Sequence, residues 1–330
     1  MTTASVLLTV STWSCSGDKC EREVVGRAAR SVAAVAAREL RETPATREQA
    51  LRLMREWLRQ NKDVANVRQD ESFLLRFLRQ KKYSIPMAQQ TLLKYLNLRK
   101  LYPKGFSQLD CEDANIKDII NNGYIMVSPV RDSMGRRVIV YSINKFNASK
   151  FTCWDMCRAH ALVYETCLEE PGDQVCGFTH VGDVAGASAA HVTAWNPTDF
   201  ARLIKWGEQS LPMRHKECHL INLPATVRYV IDFAVSRVPP KMAERLKIHH
   251  NLKSLHKQID TACLPSSFGG AIQTHDMIEY TKILLSEQRK KLLALDDMEI
   301  LSSRGIITSR SKTTHNADAV EGSFRKLEID

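Results

Sequence analysis

The chain has 330 residues and a net charge of +10, from 47 Lys and Arg against 37 Asp and Glu. That length holds one core domain of about 180–200 residues with a smaller module and loose ends, and such a domain buries roughly 70% of its unfolded surface without help from a disulfide or structural metal. The nine cysteines are an odd number with no framework spacing; the nearest pairs, Cys15/Cys20 and Cys153/Cys157, lack the gap of a zinc knuckle, so free thiols in a reducing cytosol are expected.

No apolar stretch reaches the roughly 18 residues of a membrane span. The run Ala4 to Val10 has no basic segment before it and is short for a secretory signal. Residues 24–38 are small, Arg-bearing and helix-prone, as in a mitochondrial presequence, but Glu21, Glu23, Glu39 and Glu42 flank them and such leaders are poor in acids.

In chain order, residues 1–44 carry no sustained period and read as a disordered or loosely helical tail. Ordered structure is expected to begin near Thr46, a candidate helix cap, with Ala50, Leu53, Met54, Trp57 and Leu58 at helical spacing. A second helix follows Asp70, with Phe73, Leu74, Phe77 and Leu78 on one face. A third runs from Pro86 to Leu101 with Ala88, Leu92, Leu93, Tyr95, Leu96 and Leu98. Residues 45–103 therefore form a small helical module.

Beyond it the period changes. Residues 123–129 and 137–143 are short β-branched runs around a turn at 131–135. A helix over about 152–170, a strand at 177–184, a helix at 197–210, a strand at 218–224, two helices and a strand at 248–252 come next. Strands separated by helices predict an α/β domain with a mostly parallel sheet over 104–300. Residues 301–330 are expected to be a disordered tail.

The most informative segment is 225–247. Val227, Val230, Ile231, Ala234, Val235 and Val238 fall on one helical stripe, broken by Pro239-Pro240, after which Met242 and Leu246 continue the apolar face. Between Arg214 and Lys257 stand nine Lys or Arg and only Glu217, Asp232 and Glu244 as acids. A single-signed excess beside an apolar helix pair fits a membrane surface.

Catalytic patterns are poor. Ser188 lacks a Gly-x-Ser-x-Gly elbow, and no phosphate-cradling Gly-Lys-Ser/Thr loop or dinucleotide fingerprint occurs. His249 and His250 are adjacent and on a strand point to opposite faces, so they cannot share a metal. His180, His219 and His249 read singly as packed or exposed side chains, and Trp195 and Trp206 as pocket or core residues. No zinc finger or aromatic RNA-binding strand is visible, so nucleic acid is not an expected partner.

With these residues in view the sequence resembles the CRAL-TRIO family, in the branch of tocopherol and retinaldehyde carriers and the clavesins, over about residues 47–300. The residues that carry the likeness are 71–83, Gly123-Tyr124, 138–141, the Asp183-x-x-Gly186 turn, 219–222 and 264–270, in this order and spacing. The resemblance implies a CRAL-TRIO lipid-binding domain with a helical lid, preceded by a small all-helical module, and a carrier rather than an enzyme. It implies a pocket lined by Phe178, Leu203, Trp206, Met213, Val227, Val230, Ala234 and Val238, and a phosphoinositide site at Arg214, Lys216 and Lys241. A further basic position of that site is Gln90 here, and Gly207 stands where the family has a bulky residue. The expected function is an intracellular carrier that binds a hydrophobic small molecule (tocopherol-, retinoid- or other lipid-like) in a lidded pocket and transfers it between membranes, docking through phosphoinositide headgroups, with a membrane-trafficking adaptor that reads phosphoinositides without cargo as the alternative. A bound lipid is expected, and no cofactor or metal; the partners are the ligand and an anionic membrane surface, and the protein is expected to be cytoplasmic, monomeric and transiently membrane-associated.

Overall fold

The computed structural model describes residues 32–188, 190–191, 207, 209–237 and 240–307, with the side chains of Val230, Ala234, Arg237 and Met242 not described. Leu203, Trp206 and Val238, most of the helix expected at 197–210, Trp195, and the outer parts of both tails lie outside these residues.

Order begins earlier than the composition implies. Residues 32–40 are helical, ending in a π-helical turn at Ala36–Leu40. Ala36 and Leu40 are buried against Val175 and Cys176, so the small, helix-prone residues read as a loose tail are a docked element. Helix α1, Pro44–Gln60, is capped by Thr43 rather than Thr46. The two threonines form a reciprocal capping box, Thr46 N donating to Thr43 Oγ1 at 3.1 Å and Thr43 N to Thr46 Oγ1 at 2.9 Å. The buried stripe of α1 is Ala50, Leu51, Met54 and Leu58; Leu53 points outward.

Helix α2, Glu71–Gln80, starts at the N-cap Asp70, which accepts from Phe73 N. It packs on α3, Ile85–Leu101, through edge-on contacts among Phe73, Phe77 and Tyr95. A two-residue strand β1, Val64–Ala65, pairs antiparallel with the last strand β7, Glu299–Ile300, and so returns the chain end to this module. Order continues past the expected limit at residue 300. Gln90 donates to Gly305 O and accepts from Ile307 N, both at 2.8 Å, and holds the segment down.

The central sheet has the order β2-β3-β4-β5-β6: β2 Ile125–Val127, β3 Arg137–Ser142, β4 Phe178–Asp183, β5 His215–Ile221 and β6 Leu246–His249. Only the β2–β3 pair is antiparallel, as expected of strands linked by helices. Helix α4, Ala114–Asn121, precedes β2. Helix α5, Cys153–Leu168, opens on a Thr152/Asp155 capping box and, with the short α6, Pro171–Cys176, joins β3 to β4. Helix α7, Arg228–Arg237, lies between β5 and β6, and α8, Thr274–Leu293, follows the sheet.

Strand β5 starts three residues before the apolar run, because a bulge lets the polar His215–Glu217 stretch pair with Phe178 and Thr179. Strand β6 ends at His249 because Asn251 caps a short helix, Leu252–His256, accepting from Ser254 N at 2.9 Å. The Asp183 turn and Asn222 of the 219–222 motif meet: Asn222 Nδ2 donates to Asp183 Oδ1 at 2.9 Å, tying the ends of β4 and β5. In the 264–270 motif, a Cβ on Gly270 would fall 2.0 Å from the Leu264 carbonyl oxygen, which leaves room only for glycine.

Module and sheet domain are joined by buried charge. Arg76 reaches Glu165 at 2.7 Å and Glu169 at 2.6 Å, and Arg68 reaches Glu169 at 2.8 Å. Burial alone would raise the Glu169 pKa, but the hydrogen bond from Arg68 and the charges of Arg76, Arg68 and Lys291 hold it below the usual carboxylate range.

Candidate functional site

Side chains alternate across the sheet, and the alternation sorts its two faces. Val138, Val140, Val181 and Ile221 pack with Leu255, Ile259, Phe268 and Met277 on one side. The opposite face of β3 to β6 carries Ile139, Tyr141, Phe178, His180, Gly182, Cys218, Leu220, Leu246 and Ile248, by the pairing register. Toward β3 this face joins the main cluster with α5. Toward β6 it is apolar, and Cys218, Leu246 and Ile248 are only half-buried. A half-covered apolar floor that runs from β5 onto the edge strand β6 is a candidate wall for a ligand site.

Of the expected lining, Phe178 is fully buried and shares one apolar cluster with Met213 and Leu211. Gln80 holds that approach to β5, donating to Leu211 O at 2.7 Å and Met213 O at 3.3 Å. Val227 is buried at the entry to α7, and Ile231 and Val235 are half-buried on it. Val230 and Ala234 lie in α7 on the same stripe by position.

The expected headgroup residues are divided. Arg214 and Lys216 are held together by Glu39 of the π-helical turn, at 2.6 and 2.7 Å from its Oε2, and Arg214 also donates to the Val175 carbonyl. Burial, which would raise the Glu39 pKa, is outweighed by hydrogen bonds from Lys216 and Arg214, and the carboxyl is lowered to about 2. Lys241 is exposed on the single turn Pro240–Ala243, and no ion pair joins it to that cluster. Gln90 binds the chain's own C-terminal segment.

Sequence reasoning took the histidines one at a time and missed two clusters. On the inner face His160, on α5, stands 2.9 Å from the Tyr124 hydroxyl through Nε2 and 3.0 Å from the Tyr164 hydroxyl through Nδ1. His180 Nε2 lies 2.9 Å from His215 Nδ1, and the Tyr164 ring lies edge-on to both His180 and His215. Desolvation lowers His160 to about 4; burial, then the charge of Arg245, lowers His215 to about 4. His180 is pushed well below its ordinary value by burial, then by His215 and His160. All three imidazoles are neutral at physiological pH. The i, i+4 spacing of His160 and Tyr164 was a visible signal; the meeting of His180 with His215 depends on the sheet register and was not.

On the outer face His219 and His249 stack with ring centroids 5.1 Å apart and Nδ1 to Nε2 at 2.8 Å, with His219 Nε2 2.9 Å from Glu217. His250 is exposed. Ser188 Oγ is 3.0 Å from His191 Nδ1, an exposed contact three residues apart in the chain. Burial raises three of the thiols, Cys157 and Cys263 to about 12 and Cys218 to about 11, away from the thiolate form a nucleophile needs. Among the described residues no group of three His, Cys, Asp or Glu is placed to hold a metal, and no helix is long and apolar enough to cross a membrane.

The domain is an α/β sheet with an apolar inner face half-covered toward β6, and a helix with an apolar stripe, α7, connects β5 to β6. Residues 121–270 match the model of the CRAL/TRIO domain, and the chain carries that domain. Similar proteins include Clavesin-1 of Xenopus laevis, 29% identical over 75% of this chain and 75% of that protein. Clavesin-2 of Homo sapiens is 28% identical over 76% of this chain and 77% of its own length. Alpha-tocopherol transfer protein-like of Mus musculus is 27% identical over 76% and 73%. A crystal structure of Sfh5 superposes with a TM-score of 0.48 at 10% identity, covering 76% of this chain and 99% of that one.

Proposed function

We propose that this protein is an intracellular carrier that holds one hydrophobic small molecule on the inner sheet face and transfers it between membranes, docking through anionic headgroups. The observation that carries this reading is the half-buried apolar floor of Cys218, Leu246 and Ile248 on β5 and β6, the two strands that α7 joins in the chain. The CRAL/TRIO domain and the relative named for tocopherol transfer support lipid carriage rather than an enzyme activity.

In this reading α7 is the lid, and its stripe meets the bilayer when it opens. Arg214, Lys216 and Lys241 neutralise phosphoinositide phosphate, each contributing on the order of 1 kcal/mol near an anionic surface. Arg214 and Lys216 must first exchange Glu39 for phosphate. Ten buried methylenes gain roughly 8 kcal/mol relative to water but almost nothing relative to a bilayer, so exchange at a membrane is easy. The protein acts as a cytoplasmic monomer with no cofactor besides its cargo.

A phosphoinositide-reading adaptor without cargo is the second reading, favoured by the pairing of Arg214 with Lys216 around one carboxylate. Native mass spectrometry of the full chain purified from its own cells decides between them. One lipid retained per chain supports carriage; an unloaded protein that still binds phosphoinositide vesicles supports the adaptor.

A further inference from the structure

We propose that residues 32–42 are an autoinhibitory strap: the segment fills an anion site of its own domain with two carboxylates, Glu39 and Glu42, and membrane docking requires it to detach. The strap rests on the headgroup docking proposed above and names what regulates it.

The two carboxylates are three residues apart and grip three cations. Glu39 Oε2 is 2.6 Å from Arg214 and 2.7 Å from Lys216. Glu42 takes two nitrogens of the Arg79 guanidinium, Nη2 at 2.7 Å and Nε at 2.9 Å. The cations border one surface, because Arg79 also donates to the Gln174 side chain and Arg214 to the carbonyl of Val175, adjacent residues of α6. Among the described residues every ion pair of Arg79, Arg214 and Lys216 is made with the strap. Detachment therefore leaves three cations without a counter-ion, and a phosphorylated headgroup supplies what they lose.

The strap's hold is shallow. Its apolar part is a satellite apart from the main core: Ala36 and Leu40 are buried against Val175 and Cys176, and Val32 and Val35 are half-buried. Ala33, Ala34, Ala37 and Arg38 face solvent. The backbone leaves the α-helix for a π-helical turn at Ala36–Leu40, and Arg41 takes the left-handed region with φ 60°, which is costly for any residue but glycine. A segment with few buried apolar contacts opens before the rest of its domain does. Detachment thus exposes the cations while the sheet and the helical module stay folded.

The grip also sets the size of the effect. If docking requires the free strap, the apparent vesicle affinity is scaled by the fraction of chains in which the strap is off. Leu40→Ala removes a fully buried side chain of the strap and touches no charge. Truncation of a buried leucine shifts such an equilibrium by roughly tenfold or more, and binding to headgroup-bearing vesicles should strengthen by the same factor. Glu42→Gln weakens the Arg79 contact and touches neither Arg214 nor Lys216, yet it should move vesicle binding in the same direction. Leu53→Ala, at an exposed leucine of α1, should change nothing.

The test compares the full-length parent with these three variants by co-sedimentation with phosphatidylcholine vesicles, with and without phosphatidylinositol bisphosphate. Thermal melts check that each variant is folded. Hydrogen exchange of the parent at residues 36–42 reads the strap directly. Its amides should be protected in solution and with phosphatidylcholine alone, and should exchange freely on vesicles that carry the bisphosphate. Equal binding by the parent, Leu40→Ala and Glu42→Gln, or a strap that stays protected on those vesicles, overturns the autoinhibition while leaving docking in place. Absence of binding to the bisphosphate vesicles by parent and variants alike overturns docking and the strap together.

Discussion

The ring of Tyr141 lies directly over Gly182 on the adjacent strand, so close that a methyl group there would sit 2.3 Å from the ring. The phenol therefore spans β4 and reaches toward Cys218 on β5. Gly182→Ala forces Tyr141 off this path. The expected cost is about 1–3 kcal/mol of stability, as for other overpacked cores, with altered cargo affinity. Denaturant midpoints and lipid displacement check both, and unchanged values would mean that Tyr141 moves aside freely.

Arg76 is fully buried between Glu165 and Glu169. Arg76→Ala leaves Glu165 without its cation in the interior, which should cost about 3–5 kcal/mol. The double variant Arg76→Met with Glu165→Leu should recover most of that loss, because Glu169 keeps Arg68. Urea unfolding of the single and double variants measures the difference. Equal loss in both would assign the effect to packing instead of to the stranded carboxylate.

Much of this molecule was legible from residue periodicity. The stripes of α2 and α3, the mostly parallel sheet and the α7 helix all follow from side-chain spacing. What escaped was set by partners distant in sequence. The alanine-rich residues 32–40 look structureless until Val175 and Cys176 supply a surface for Ala36 and Leu40. Arg214 and Lys216 read as two free cations because Glu39 lies some 175 residues away. Gln90 read as a lost headgroup position, whereas its amide pairs with the backbone at Gly305 and Ile307. The histidine pairs depend on strand register, which local pattern does not supply.

The inner histidines make stability depend on pH. His160 and His215 titrate near 4 in the folded chain against an ordinary 6.5. Their folded values are lowered, so between those limits the unfolded chain binds more protons. Stability is therefore complete above about pH 6.5 and falls as pH drops toward 4, by about 1 kcal/mol per imidazole at pH 5.5. Urea midpoints between pH 7.5 and 5 should show this slope, and His215→Asn should flatten it. A flat profile in the parent protein would reject neutral burial of these rings.

Glu39 occupies Arg214 and Lys216 as an internal anion, and under the proposed docking mode a headgroup phosphate would have to displace it. Glu39→Gln removes the negative charge while keeping a hydrogen-bonding amide and leaving Ala36 and Leu40 to hold the helix down. Two released cations, each contributing about 1 kcal/mol near an anionic leaflet, predict roughly tenfold or greater strengthening of binding to vesicles containing phosphatidylinositol bisphosphate. Binding to neutral vesicles should not change. The gain should shrink with added salt as the Debye length falls from about 10 Å at 0.1 M toward 3 Å at 1 M. In the parent protein a salt-resistant remainder should persist, because an inserted apolar stripe on α7 is held by the hydrophobic effect. Co-sedimentation across a salt series, with Lys241→Ala alongside, separates the two contributions. Equal binding by Glu39→Gln and the parent would show that Arg214 and Lys216 do not face the membrane, and complete release of the parent at high salt would remove α7 from the docking surface.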